Sequence, residues 1–116
     1  MKIARIYFAY PYTDDPIGRT EEIKKLIHSL VEVRKDIAPL IPHLLFDELF
    51  NHPDGYTLMF IGPWEFEVIK DADYICFPPP TTQALKQCGT VWEKVFAIWC
   101  GTPIVEWDYL LDGGKI

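Results

Sequence analysis

Apolar positions along the chain fall into two alternating rhythms. Short, dense runs rich in β-branched and aromatic residues occur at 3–9, 37–41, 73–77 and 104–107, and these read as strands. Between them, apolar residues recur three and four positions apart, the period of a helix with one buried face. Ile23, Leu26, Ile27, Leu30 and Val31 give such a face to a helix from Thr20 to about Lys35. Thr20, Glu21 and Glu22 supply it with a cappable, acidic first turn. Pro63 fits the first position of a second helix, running to about Asp71. Gly89-Thr90 reads as the start of a third, because both residues are accepted as N-caps. Val91, Val95, Ile98 and Trp99 then recur at helical spacing, and Gly101 with Pro103 beyond it closes the element.

Strands alternating with helices predict βαβ units and a parallel sheet covered on both faces. The expected fold is one α/β domain over residues 1–116: a small three-layer Rossmann- or flavodoxin-like sheet of four to five strands, ordered near 2-1-3-4. Pro39 within the second strand predicts an edge position, where a missing N–H does no harm. Residues 42–63 give no consistent period. Leu44-Leu45-Phe46 and Leu49-Phe50 could form a helical turn, and 51–55 reads as a loop. The tail from Asp108 to Ile116, with its Gly113-Gly114 pair, is expected to fray or to dock on a neighbour.

In a sheet of this order the ligand crevice lies at the carboxyl ends of the strands where the order reverses, here between strands one and three. The Tyr10-Pro11-Tyr12 turn and the segment from Phe77 to Thr90 converge there. Glu93 falls in the first turn predicted for its helix. There free backbone N–H groups and the aligned peptide dipoles favour an ionised carboxylate, suited to a nucleophile or to charge stabilisation. The plainer alternative is that Glu93 only caps its own helix. Glu65, near the predicted start of the preceding helix, and Tyr7, on strand one, complete the candidate group. Two carboxylates in one pocket can divide acid and nucleophile roles.

Composition narrows the partners. The chain of 116 residues carries a net charge of −6 without a basic cluster. That argues against a nucleic-acid polymer, which needs cations to neutralise phosphates; a nucleoside or single nucleotide is compatible. Aromatic side chains near loops could stack on a planar ligand. Three cysteines show no paired or zinc-ligand spacing, and His28, His43 and His52 show none either, so no metal or cofactor is expected. A reducing, cytoplasmic compartment is expected, with no signal peptide and no membrane span. GxGxxG and Walker patterns are absent.

Ile6-Tyr7-Phe8-Ala9-Tyr10-Pro11, Glu65 with Asp71-Ala72-Asp73, and the run from Gly89-Thr90-Val91-Trp92-Glu93 through Ala97 to Gly101-Thr102-Pro103-Ile104 resemble the nucleoside 2-deoxyribosyltransferase-like superfamily. That group includes the 2′-deoxynucleoside 5′-phosphate N-hydrolases. The resemblance spans Ile3 to about Val105. It implies that Glu93 attacks the anomeric carbon of the sugar, and that Glu65, eight positions before Asp73, handles the proton of the leaving base. It places Tyr7 beside the nucleophile. It assigns sugar or phosphate contacts to Tyr10, Pro11, Gln87, Gly89 and Thr90. Gln87 stands where the family usually has Asp or Ser, and hydrogen-bonds without charge. A homo-oligomer is implied as well. The expected function is therefore cleavage or transfer at the N-glycosidic bond of a deoxynucleoside or its monophosphate. The alternatives are a non-catalytic nucleotide-binding or sensing module of the same fold, or an oligomeric structural protein.

Overall fold

A computed structural model describes residues 2–10, 15–42, 44–45, 48, 55–77 and 88–116; at 16, 55–62 and 88–92 the description is of the backbone. Along the chain run β1 (Ala4–Phe8), α1 (Pro16–Val33), β2 (Ile37–Leu40), α2 (Gly55–Asp71), β3 (Tyr74–Cys76), α3 (Cys88–Cys100), β4 (Ile104–Val105) and α4 (Trp107–Leu111). The strands form one parallel sheet in the order β2-β1-β3-β4. This is the α/β architecture and the order expected from the sequence. Pro39 lies on β2, an edge strand, as its missing N–H requires.

β1 is central, and its alternating side chains build two cores. Ile6, Phe8 and Tyr10 pack under α1 with Ile23, Ile27 and Leu30; Tyr7 and Ala9 face Ile69 of α2 and Ala97 of α3. The start of β3 is fixed to β1 by a reciprocal pair of bonds. Arg5 N donates to Asp73 Oδ2 (2.8 Å), and Asp73 N donates to the Arg5 carbonyl (2.8 Å).

Three helix starts differ from expectation. α1 begins at Pro16, not Thr20. Asp15 is its N-cap, accepting from Gly18 N, and Pro16 supplies a first-turn residue with no N–H to satisfy. Thr20 is buried inside the helix rather than capping it. α2 begins at Gly55, so Pro63 lies within the helix and one main-chain hydrogen bond there is missing. α3 begins at Cys88, which puts Gly89 and Thr90 inside its first turn. The described positions between 42 and 48 are helical. Of the loop expected at 51–55, Gly55 starts α2 instead and 51–54 lie outside the described residues, as do positions 11 and 12 of the expected turn.

The tail neither frays nor waits for a neighbour. Trp107 and Leu110 of α4 are buried in the α1 core, and Trp107 stacks obliquely on Phe8 at 5.1 Å. Arg34 is clamped by Asp36 (2.7 and 3.0 Å) and donates to the carbonyls of Leu110 (3.2 Å) and Gly114 (2.6 Å). The tail's last carbonyls are thereby satisfied by a planar, always-charged donor.

α3 ends as expected. Gly101 has φ 72°, its N–H bonds the Ile98 carbonyl and the Thr102 N–H bonds the Ala97 carbonyl, the paired pattern of a Schellman cap. Among the described residues, no atom beyond the two chain neighbours lies within 4 Å of where a Cβ at Gly101 would sit. The cost of Gly101→Ala is therefore backbone strain alone. It should lower stability by about 1 kcal/mol, read as a reduced urea midpoint at unchanged slope.

Candidate functional site

The candidate group assembles on the α2–α3 face of the sheet. Tyr7 is the fourth residue of β1, and its parity sends the ring to that face. Glu65 lies one helical turn before Ile69 on α2, and Ile69 is buried against the sheet. Glu93 lies one turn before Ala97 on α3, and Ala97 is likewise buried. The two helices meet through Phe66 and Phe96, whose rings pack edge to face at 5.4 Å. Three separate elements thus deliver one hydroxyl and two carboxyls to one interior region.

Burial decides their electrostatics. Glu93 is 1% exposed, and Tyr7 is fully buried. Among the described residues, the Tyr7 hydroxyl and Glu93 Oε2 have no hydrogen-bond partner of good geometry. They are nevertheless close enough to act on one another. Loss of water drives the Tyr7 pKa well up, and the charges of Glu93 and Glu65 add to the rise. The Glu93 carboxyl is also held well above the usual carboxylate range. Burial is the main cause and the Glu65 charge the second, while the Tyr7 hydroxyl opposes both. Glu65 is half-buried, and burial pushes its pKa up to about 7.

This corrects the expectation of an ionised Glu93. Because α3 begins at Cys88, Glu93 is its sixth residue, and the first turn holds no acid. The free N–H groups and the dipole of the helix end act only over that turn. Desolvation therefore prevails and favours the neutral form of Glu93. The pair behaves as one coupled two-proton system rather than as two independent groups.

The other expected ligand contacts are distributed differently. Tyr10 belongs to the opposite core, under α1, where its hydroxyl donates to Glu22 Oε2 at 2.6 Å. Burial and that hydrogen bond raise its pKa, and it does not join Tyr7 and the two acids. Gly89 and Thr90 contribute the backbone of α3's first turn, where N–H groups lack partners within the helix. Pro11 and Gln87 lie outside the described residues, as do His43 and His52. Thr102 was not among the candidates, yet it touches both acid-bearing helices. Its hydroxyl donates to the Ile69 carbonyl at 2.8 Å, and its N–H to that of Ala97 at 3.0 Å. The sequence signal for it was the Gly-Thr-Pro run that ends α3.

Among the described residues, no helix is long and apolar enough to cross a membrane. The sequence matches no protein-family model and no curated protein.

The buried pair ties stability to pH in a direction opposite to that of most carboxylates. A raised folded-state pKa means that the native protein holds protons which the unfolded chain releases near 4.5. Stability is thus greatest below that value and falls as pH rises toward the folded-state values, by up to about 1.4 kcal/mol per pH unit for each retained proton. Glu93→Gln keeps the shape and removes the titration. Urea unfolding at pH 5 and pH 8 should show the wild type losing stability between them, and the variant losing measurably less.

Proposed function

We propose that the protein cleaves or transfers the N-glycosidic bond of a 2′-deoxynucleoside or its monophosphate, through Glu93 as nucleophile. The observation that carries this reading is the convergence of two coupled carboxyls and a tyrosine hydroxyl, from β1, α2 and α3, in one nearly dry region. Bond cleavage at an anomeric carbon builds positive charge on the sugar, and a close carboxylate in a low-dielectric site stabilises it.

The chemistry needs one proton on the pair. With that proton on Glu65, a Glu93 oxygen bonds to the anomeric carbon as the carbon–nitrogen bond breaks. The bonding electrons pass to the base, which takes the Glu65 proton. Water then attacks the same carbon, Glu65 accepts its proton, and Glu93 leaves as a carboxylate. A second base in place of water completes a transfer. The free protein favours the proton on Glu93, but the charge growing on the sugar favours an anionic Glu93 and so moves the proton to Glu65. Tyr7, beside Glu93, is placed to hydrogen-bond the carboxylate in that state.

A nucleotide-binding module without turnover is the second reading, favoured by the near-complete enclosure of the Glu93 carboxyl. Incubation with the four deoxynucleosides and their monophosphates, with chromatography for free base, separates the two. Base release should fall about a thousandfold or more in Glu93→Gln and about a hundredfold in Glu65→Gln. The wild-type rate should rise as pH passes about 7, where the pair sheds its first proton, and fall again at higher pH when the second leaves. No release by the wild type, or undiminished release by Glu93→Gln, removes the glycosidic reading. Thermal stabilisation by a nucleotide without release then supports the binding module.

A further inference from the structure

We propose that Thr102 is a positioning residue, setting the separation between the Glu65 and Glu93 carboxyls by tying α2 to α3 one turn beyond each acid. The inference rests on the reading of those acids as a working pair.

Two local features leave both tied carbonyls open to Thr102. On α2 the regular helical partner of the Ile69 carbonyl would be the N–H of Asp73. That N–H instead bonds the Arg5 carbonyl at the start of β1, at 2.8 Å. The Ile69 carbonyl keeps a contact from Ala72 N at 3.2 Å, and its remaining capacity is filled by the Thr102 hydroxyl at 2.8 Å. On α3 the regular partner of the Ala97 carbonyl would be the Gly101 N–H. The left-handed turn at Gly101 redirects that N–H to Ile98, and the Thr102 N–H bonds Ala97 in its place.

Thr102 is itself held rigidly. It is 7% exposed. Pro103 restricts it to extended backbone, and the Pro103 carbonyl accepts from Ile75 N of β3 at 2.9 Å. One residue, anchored to the sheet, therefore bonds α2 through its side chain and α3 through its main chain. Glu65 precedes Ile69 by four residues, and Glu93 precedes Ala97 by four, so each acid sits on its tied helix face at about the same distance from the bridge. Slippage of α2 against α3 is resisted at Thr102 and would be felt directly at the pair. Among the described residues, Tyr7 on β1 is the third titratable group facing the two acids, and it belongs to the sheet rather than to either helix.

The test compares wild type, Thr102→Ser and Thr102→Val by carbon NMR titration of the two glutamate carboxyls. As a general scale, at an effective dielectric of about 20, moving any two unit charges from about 4 Å to about 5 Å apart alters their mutual effect by about 0.6 pH unit. Thr102→Val should shift the spacing of the two titration steps by about that amount, while Thr102→Ser matches the wild type. For base release, Thr102→Val should lower kcat about tenfold or more with KM nearly unchanged, and serine should restore it. If valine cannot be accommodated, Thr102→Cys, with its weaker donor, is read by the same titration. Titrations unchanged in the valine or cysteine variant, or shifted equally by serine, overturn the positioning role. A wild type that releases no base overturns the glycosidic reading, and the titration still decides the role of Thr102.

Discussion

A strand with neighbours on both sides and helices on both faces gives a polar side chain past its amino end no ready path to bulk water. β1 is such a strand, and the rest of the molecule is built on its two faces. Ile6, Phe8 and Tyr10 organise one core, and Tyr7 and Ala9 the other. Tyr10 meets the constraint in the ordinary way, by hydrogen-bonding Glu22 at the rim. Tyr7 and the facing Glu93 do not. Each keeps a buried polar atom without a well-formed partner among the described residues, an arrangement that costs roughly 1–3 kcal/mol per group. Nothing in the packing of a parallel sheet calls for an acid at that point, since Leu or Met at position 93 would fill the space without desolvating a carboxyl. The fold tolerates it because β1, α2 and α3 are independently fixed around it.

How much of this was legible in the residues depends on the range of the signal. Strand identity, strand order, the edge position of Pro39 and the cap at Gly101 rest on features within a few residues of one another, and all four appear in the structure. Helix starts were less legible because two adequate signals competed. Thr20 with its acidic neighbours resembles a cap, but Asp15-Pro16 is a stronger one, with a side-chain acceptor and a residue lacking the N–H that would go unpaired. Once Asp15 begins the helix, Thr20 falls inside it. The tail was illegible for another reason. Its partner, Arg34, lies more than seventy residues away, and no local pattern announces a guanidinium that will bond the Leu110 and Gly114 carbonyls.

The candidate site shows both outcomes within single elements. Tyr7 and Tyr10 are three residues apart on extended chain, so the two-residue period of a strand sends them to opposite faces. Grouping them as one site ignored that parity, and the structure separates them into two cores. On α3 the apolar stripe itself misled. Val95, Ile98 and Trp99 mark an obvious face, yet all three are exposed, Trp99 at 82%. The face against the sheet is that of Glu93, Phe96 and Ala97. At about 100° per residue, Glu93 lies roughly 200° from Val95, so a helix packed by its most apolar stripe would turn its only acid into water. The helix does the reverse. Local hydrophobicity lost to the requirement that α3 approach the sheet closely, which small Ala97 permits and Trp99 would not.

That inversion bears on what the acid can do. A carboxylate ionised at rest would need a helix end or a cation to hold its charge, and it would meet substrate already stabilised. Much of its capacity to stabilise a developing positive charge would then be spent in the ground state. Among the described residues Glu93 has neither support: its helix begins five residues earlier, and the groups that shift it are another acid and a tyrosine. Its anionic form is therefore poorly solvated until a cationic centre arrives, and the proton it must surrender has a neighbouring acceptor in Glu65, whose own pKa lies near 7. In the proposed reaction, an anion that becomes favourable only as charge grows on the sugar would interact more strongly with the transition state than with the substrate. Differential stabilisation of that kind is the condition for catalysis, and the proposed reaction would draw it from burying the pair in the absence of any compensating charge among the groups that shift it.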